Sequence, residues 1–141
     1  MSKYYNRKFL SEYIKLDKAC SERFGIASGG VSEYITRLGS NTSICDREEP
    51  LTRLVRYRGY RNKLTHEVLA LERFSGIARN DVKWIVSFAR AVKAKRDPVS
   101  LFIKNEHKKT GWYKFKRAIT VSACAIAIIA VFILFSFLFA K

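Results

Sequence analysis

Arg58-Gly59-Tyr60-Arg61-Asn62-Lys63-Leu64-Thr65-His66-Glu67 is the stretch of this chain in which residue identities, rather than residue classes, carry the pattern. An Arg is followed at once by an Asn and, five positions on from the Arg, by a His. Upstream, Leu51, Leu54 and Val55 fall on one side of a helix at about 100° per residue, and the same stripe continues into Arg58, Arg61, Asn62 and Thr65. The expectation is a helix whose inward stripe turns from apolar to polar half-way along. Burying an unpaired Arg costs several kcal/mol, so that face is expected to end in a wet cleft or against a partner. A solvated basic face, with Asn62 and His66 at a helix end, is the alternative reading of the same residues.

The Arg61-Asn62 pair with His66 resembles the signature of the HEPN superfamily. That resemblance implies a small all-helical bundle, often dimeric, and in many members a metal-independent endoribonuclease of bacterial toxin and defence systems. Other members bind without catalysis. A second resemblance runs from Tyr4 to Ser100, through YYNRKFLSEYIKLDKAC, FGIASGGVSEYITRL, LVRYRGYRNKLTHE and KRDPVS. These segments look like a family of small bacterial proteins to which no function is attached.

The chain of 141 residues leaves room for one core, because its last quarter differs in composition from the rest. Residues 1–117 hold 26 of the 27 Lys and Arg against all 12 Asp and Glu, a net +14. Such a charge favours polyanions, either nucleic acid or the anionic face of a membrane. Cys20, Cys45 and Cys124 are an odd set without metal-ligand spacing, and His66 and His107 are the only histidines. No disulfide framework, metal site or cofactor is therefore indicated. The N-terminus, MSKYYNRKFL, lacks the continuous apolar stretch of a secretory signal.

Around the motif the pattern is helical. Phe9, Tyr13, Leu16, Cys20 and Phe24, with Leu10 and Ile14, recur at helical steps over Tyr4 to Phe24, and Gly25 suits the left-handed turn that ends a helix. Gly29-Gly30 permits a sharp change of direction before a short helix from Val31 to Leu38. The motif helix is expected to start between Asp46 and Pro50. Val68 to Ile77 reads as irregular or briefly helical. A last helix is capped by Asn80 or Asp81, shows Val82, Ile85, Val86, Ala89 and Val92, and stops at Asp97-Pro98. The fold expected is all-α, a small antiparallel bundle of about four helices over residues 1–99.

Residues 100–117 read as a basic, aromatic linker. Trp112, Tyr113, Lys114, Lys116 and Arg117 have the chemistry of the lipid headgroup layer. Residues 118–140 carry no charge, and as a helix they would reach about 35 Å, enough to span a hydrocarbon core of about 30 Å. The cations on the near side place the N-terminal domain in the cytoplasm by the positive-inside rule. The expectation is a tail-anchored, single-pass protein of the bacterial cytoplasmic membrane. Ala118 with Ser122, and Ala123 with Ala127, have the spacing of close helix pairs.

Metal-free RNA cleavage needs a base for the ribose 2′-hydroxyl, an acid for the leaving 5′-oxygen and a cation for the charged phosphorane. His66 can act as acid or base, Arg61 can hold two phosphate oxygens, and Asn62 can orient either partner, with Arg58 and Lys63 adding phosphate contacts. Arg61 and His66 are about 7.5 Å apart along a regular helix and about 140° apart around it. Either the helix ends before His66, or two copies of the chain share a site, as the resemblance implies. The other class consistent with these residues is a non-catalytic, membrane-anchored adaptor that binds a protein partner or anionic lipid.

Overall fold

The structure, a computed structural model, describes residues 2–67, 69–108, 110 and 112. Among these it is all-helical: α1 (Ser2–Phe24), α2 (Gly30–Ser40), α3 (Glu48–His66), the single turn α4 (Ala70–Arg73) and α5 (Arg79–Lys93). The first compact unit is Met1–Phe102 and the second Ile103–Lys141. The stretch expected to be a linker is helical in part, over 98–102 in the first unit and 103–108 in the second. α5 ends at Lys93, with Lys95 in the left-handed region at φ 54°, short of the expected stop at Asp97-Pro98, which instead begins the helix that follows. The Asp97 carboxylate accepts from the Ser100 amide at 3.1 Å, and Pro98 takes the first helical position, where no donor is needed.

The organising element is α1, which packs against α2, α3, α4 and α5. Its buried residues Phe9, Tyr13, Leu16 and Cys20 follow the expected stripe, and Ala19 joins them. Fully burying a side chain the size of Phe9 or Leu16 contributes about 1.5–3 kcal/mol. Ile14 departs from the expectation, being 59 % exposed. An unbroken line of rings ties the bundle together: Phe9 meets Tyr57 at 5.5 Å, Tyr57 meets Trp84 at 5.5 Å, Trp84 stacks on Phe88 at 4.6 Å, and Phe88 meets Tyr34 at 5.3 Å. That line crosses α1, α3, α5 and α2 in turn.

The inward face of α3 differs from the expected stripe. Pro50, Leu54, Tyr57 and Leu64 are buried, while Val55 is 44 % exposed. The core stripe therefore stays apolar to the end of the helix, and the polar break between Val55 and Arg58 does not exist. The physical reason is Tyr57: its ring fills the core, and its hydroxyl donates to Asp81 at 2.8 Å, so a residue with a polar tip serves as a core residue.

Helix ends are held by side chains from neighbouring elements. The Arg47 guanidinium donates to the Leu38 carbonyl at 3.1 Å, closing the C-terminus of α2, and α3 follows at Glu48. α3 begins at Glu48, inside the expected interval from Asp46 to Pro50, with Arg47 at its N-cap position and Asp46 in the left-handed region at φ 54°. Asp81 is the third residue of α5 rather than its cap, and its Oδ2 reaches back to accept from the Ala78 amide at 2.8 Å.

No helix among the described residues is long and apolar enough to cross a membrane. The expected span over 118–140 lies outside the described residues, as do Tyr113, Lys114, Lys116 and Arg117. Trp112 is helical and 58 % exposed.

Candidate functional site

Arg58, Arg61 and Asn62 of α3 open into one cleft of about 510 Å³, whose other walls are Tyr13, Ile14 and Asp17 of α1 and Ser28, Gly29 and Ser32 at the start of α2. Three segments far apart in sequence build it. Their approach depends on Gly30, where a Cβ would fall 2.2 Å from the Ser21 amide nitrogen and 2.3 Å from the Asp17 carbonyl oxygen. Only a glycine lets α2 start directly on the α1 backbone. Gly29, the residue before it, adopts φ +75°, which gives the chain its turn into α2.

The first amides of α2 are satisfied by α1 rather than by a cap of their own. The Gly30 amide donates to Ser21 Oγ at 3.1 Å and the Val31 amide to Asp17 Oδ1 at 2.9 Å. A carboxylate at a helix N-terminus is favourably placed against the helix dipole. It also fixes Asp17 in the wall of the cleft.

Ion pairing sorts the cations of α3 into two sets. Arg53 pairs with Glu49, Arg56 with Asp81 at 3.2 Å, and Lys63 with Glu67 at 3.7 Å. Arg58 and Arg61 pair with no carboxylate among the described residues and face the cleft instead. Arg61 donates to Asn62 Oδ1 at 3.1 Å, which joins the two motif residues into one polar edge. Both guanidiniums act on Tyr13: burial first, and then Asp17, push its phenol up to about 12, while Arg61 and Arg58 oppose the rise. Tyr13 is thus a neutral hydroxyl at the cleft floor over the physiological range.

His66 and Lys63 are placed elsewhere. α3 remains helical through His66, so the first of the two alternatives, a helix that ends before the histidine, does not hold. His66 is exposed in the last turn and does not line the cleft. Lys63 lies 5.3 Å over the Phe74 ring in addition to its pairing with Glu67. One chain therefore gathers Arg58, Arg61 and Asn62, and leaves His66 and Lys63 apart from them.

Sequence reasoning did not single out Tyr13, Asp17, Ser28 or Ser32 as site residues. Adjacent glycines at 29 and 30 were the available signal, since a close backbone approach brings whatever precedes it against the opposing helix. No three His, Cys, Asp or Glu side chains among the described residues converge as a metal ion would need. No curated protein matches the chain, and no solved structure does. A family model matches residues 7–127, which takes in the bundle, the cleft and the cationic stretch beyond it, and the chain belongs to that Family of unknown function (DUF6548).

Proposed function

We propose that this is a membrane-anchored, HEPN-like protein that binds RNA through the Arg58, Arg61 and Asn62 cleft and cleaves it without a metal. The observation that carries the reading is the sorting of the α3 arginines, which leaves the motif arginine and its neighbour one turn back without a carboxylate partner among the described residues, both in one cleft. A guanidinium binds phosphate through two parallel hydrogen bonds and stabilises the charge of the transition state. The high positive charge of residues 1–117 supports the choice of a polyanion. The apolar run over 118–140 supports the anchor.

His66 takes part as the acid or base from a second copy of the chain, because it does not line the cleft of its own chain. Each site of a two-fold dimer would then combine Arg61 of one copy with His66 of the other. The test uses the full chain in detergent on total bacterial RNA with chelator present. The parent is expected to leave 2′,3′-cyclic phosphate ends, and Arg61→Ala and His66→Ala are each expected to be silent. Mixing the two silent variants is expected to restore part of the activity, since one site of a mixed dimer is intact. Cleavage retained by both variants overturns the assignment.

His66 standing outside the cleft also favours a second reading, a binding module without catalysis. RNA bound and left uncut by the parent assigns that function; no RNA binding at all leaves the protein or lipid adaptor. For the anchor, deletion of residues 118–141 is expected to move the chain from carbonate-washed membranes to the supernatant.

A further inference from the structure

The cleft does not end at Asp17. A second chamber of about 370 Å³ shares Ile14, Asp17 and Ser28 with the first and continues along α1 to Ile26 in the turn after it. The two chambers have opposite chemistry. The first holds Arg58 and Arg61, which have no carboxylate partner among the described residues, against the single carboxylate of Asp17. In the second, the Lys18 ammonium and the Glu22 carboxylate are 3.9 Å apart and offset each other, so Asp17 is the carboxylate left at its wall. Asp17 Oδ1 accepts from the Val31 amide, and Oδ2 accepts from no described residue. Ile14 is 59 % exposed between the chambers, an apolar surface that the bundle does not use.

We propose that the groove holds one RNA nucleotide in a fixed orientation, with its phosphate on Arg58 and Arg61 and a guanine base over Ile14 and Ile26, read by Asp17. This rests on the RNA reading above and adds to it a substrate preference. In the first chamber two guanidiniums outweigh Asp17, whereas in the second Lys18 and Glu22 offset each other and leave Asp17 in excess, so a phosphate is favoured in the first and a flat, largely apolar base gains from covering Ile14. A carboxylate accepts hydrogen bonds and donates none. Guanine presents two adjacent donors, N1–H and N2–H, on its Watson–Crick edge, and single-stranded RNA leaves that edge open to a protein. Uracil offers one donor between two carbonyls, and adenine and cytosine each offer one amine beside an acceptor nitrogen. Each of these brings an acceptor against Asp17 where guanine brings a second donor. The hydrogen bond from Val31 holds the carboxylate in place, so little side-chain freedom is lost on binding.

The test measures binding of the full chain in detergent, with chelator, to labelled 2′-fluoro-uridine hexamers, which transesterification cannot cut. A single central guanine is expected to tighten binding by about tenfold over the all-uridine hexamer, the scale of one good bidentate base contact. Inosine, which lacks the N2 amine, is expected to lose most of that gain. Asp17→Asn keeps an oxygen for the Val31 amide, and is expected to abolish the difference in affinity between the guanine and all-uridine hexamers. Equal affinity for the guanine and uridine hexamers overturns this inference and leaves the RNA reading standing. Binding of neither hexamer overturns both.

Discussion

Gly30 rests on the backbone of Ser21: its amide donates to Ser21 Oγ at 3.1 Å, and a Cβ at position 30 would lie 2.2 Å from the Ser21 nitrogen. The atoms in the way are the main chain of α1, which cannot swing aside. Gly30→Ala is therefore expected to destabilise the bundle by about 3 kcal/mol, lowering the melting temperature by roughly 10–20 °C in circular dichroism. Because the same contact sets Ser28 and Ser32 in one cleft with Asp17, the RNA affinity proposed for that cleft is expected to fall with it.

Tyr34 and Asp97 form the other fixed point of α2. The Tyr34 hydroxyl donates to Asp97 Oδ2 at 2.7 Å, Ser100 Oγ donates to Oδ1 at 2.5 Å, and the Arg23 Nε donates to Ser100 Oγ at 3.3 Å. Asp97 is 2 % exposed, so every lost donor leaves a buried carboxylate oxygen short. Tyr34→Phe is expected to cost about 1–3 kcal/mol in urea unfolding. Combining it with Asp97→Asn is expected to cost less than the sum of the two, because the residues share one network.

Alkaline pH is expected to weaken the fold through Cys20 and Tyr13. Burial, and then Asp17, raise the Cys20 thiol to about 12 from 9.0 and the Tyr13 phenol to about 12 from 10.0. Both groups are neutral when protonated, and the folded state holds their protons more tightly than the unfolded chain. Their contribution is thus complete below pH 9, and is lost as pH rises from about 9 to 12. Unfolding midpoints measured across that interval are expected to decline steadily. At pH 8, peptide mapping after iodoacetamide treatment is expected to find the exposed Cys45 alkylated and Cys20 untouched.

Arg56 and Arg61 are neighbours on α3 with different expected roles. Arg61→Ala and Arg58→Ala are each expected to reduce the slope of log affinity against log salt for single-stranded RNA by about 0.7, the value of one phosphate contact. Arg56→Ala removes a partner of Asp81 and leaves the cleft unchanged. It is expected to keep the slope and to lower stability by less than about 1 kcal/mol. Titrating binding at several salt concentrations separates the two kinds of arginine.

Much of the bundle was legible in the sequence, and the exceptions share a cause. The stripe Phe9, Tyr13, Leu16 and Cys20 was readable because nearly every residue on that face of α1 is apolar. The face of α3 was misread because Tyr57 and Tyr60 were left out of its stripe. With them, Pro50, Leu54, Tyr57 and Leu64 recur at helical steps and Val55 turns outward. Asp97 was read as a stop, when its side chain starts the helix that follows, because a cap depends on where the next amides point. In the cleft, Arg58, Arg61 and Asn62 were recognisable from the motif. Asp17 looked like any polar residue of an amphipathic helix.

By itself the sequence determined the helical class, the extent of α1, α2 and α5 to within a few residues, the excess of positive charge and the apolar run at 118–140. These follow from periodicity and composition, which are local properties of the chain. Tertiary structure alone decided that α1 rather than the motif helix is the hub, that Arg58 and Arg61 have no carboxylate partner among the described residues while Arg53, Arg56 and Lys63 are paired, and that His66 does not line the cleft. Each of these depends on which residues from distant segments arrive beside one another. Pairing and burial belong to that arrangement, and a one-dimensional pattern does not contain it.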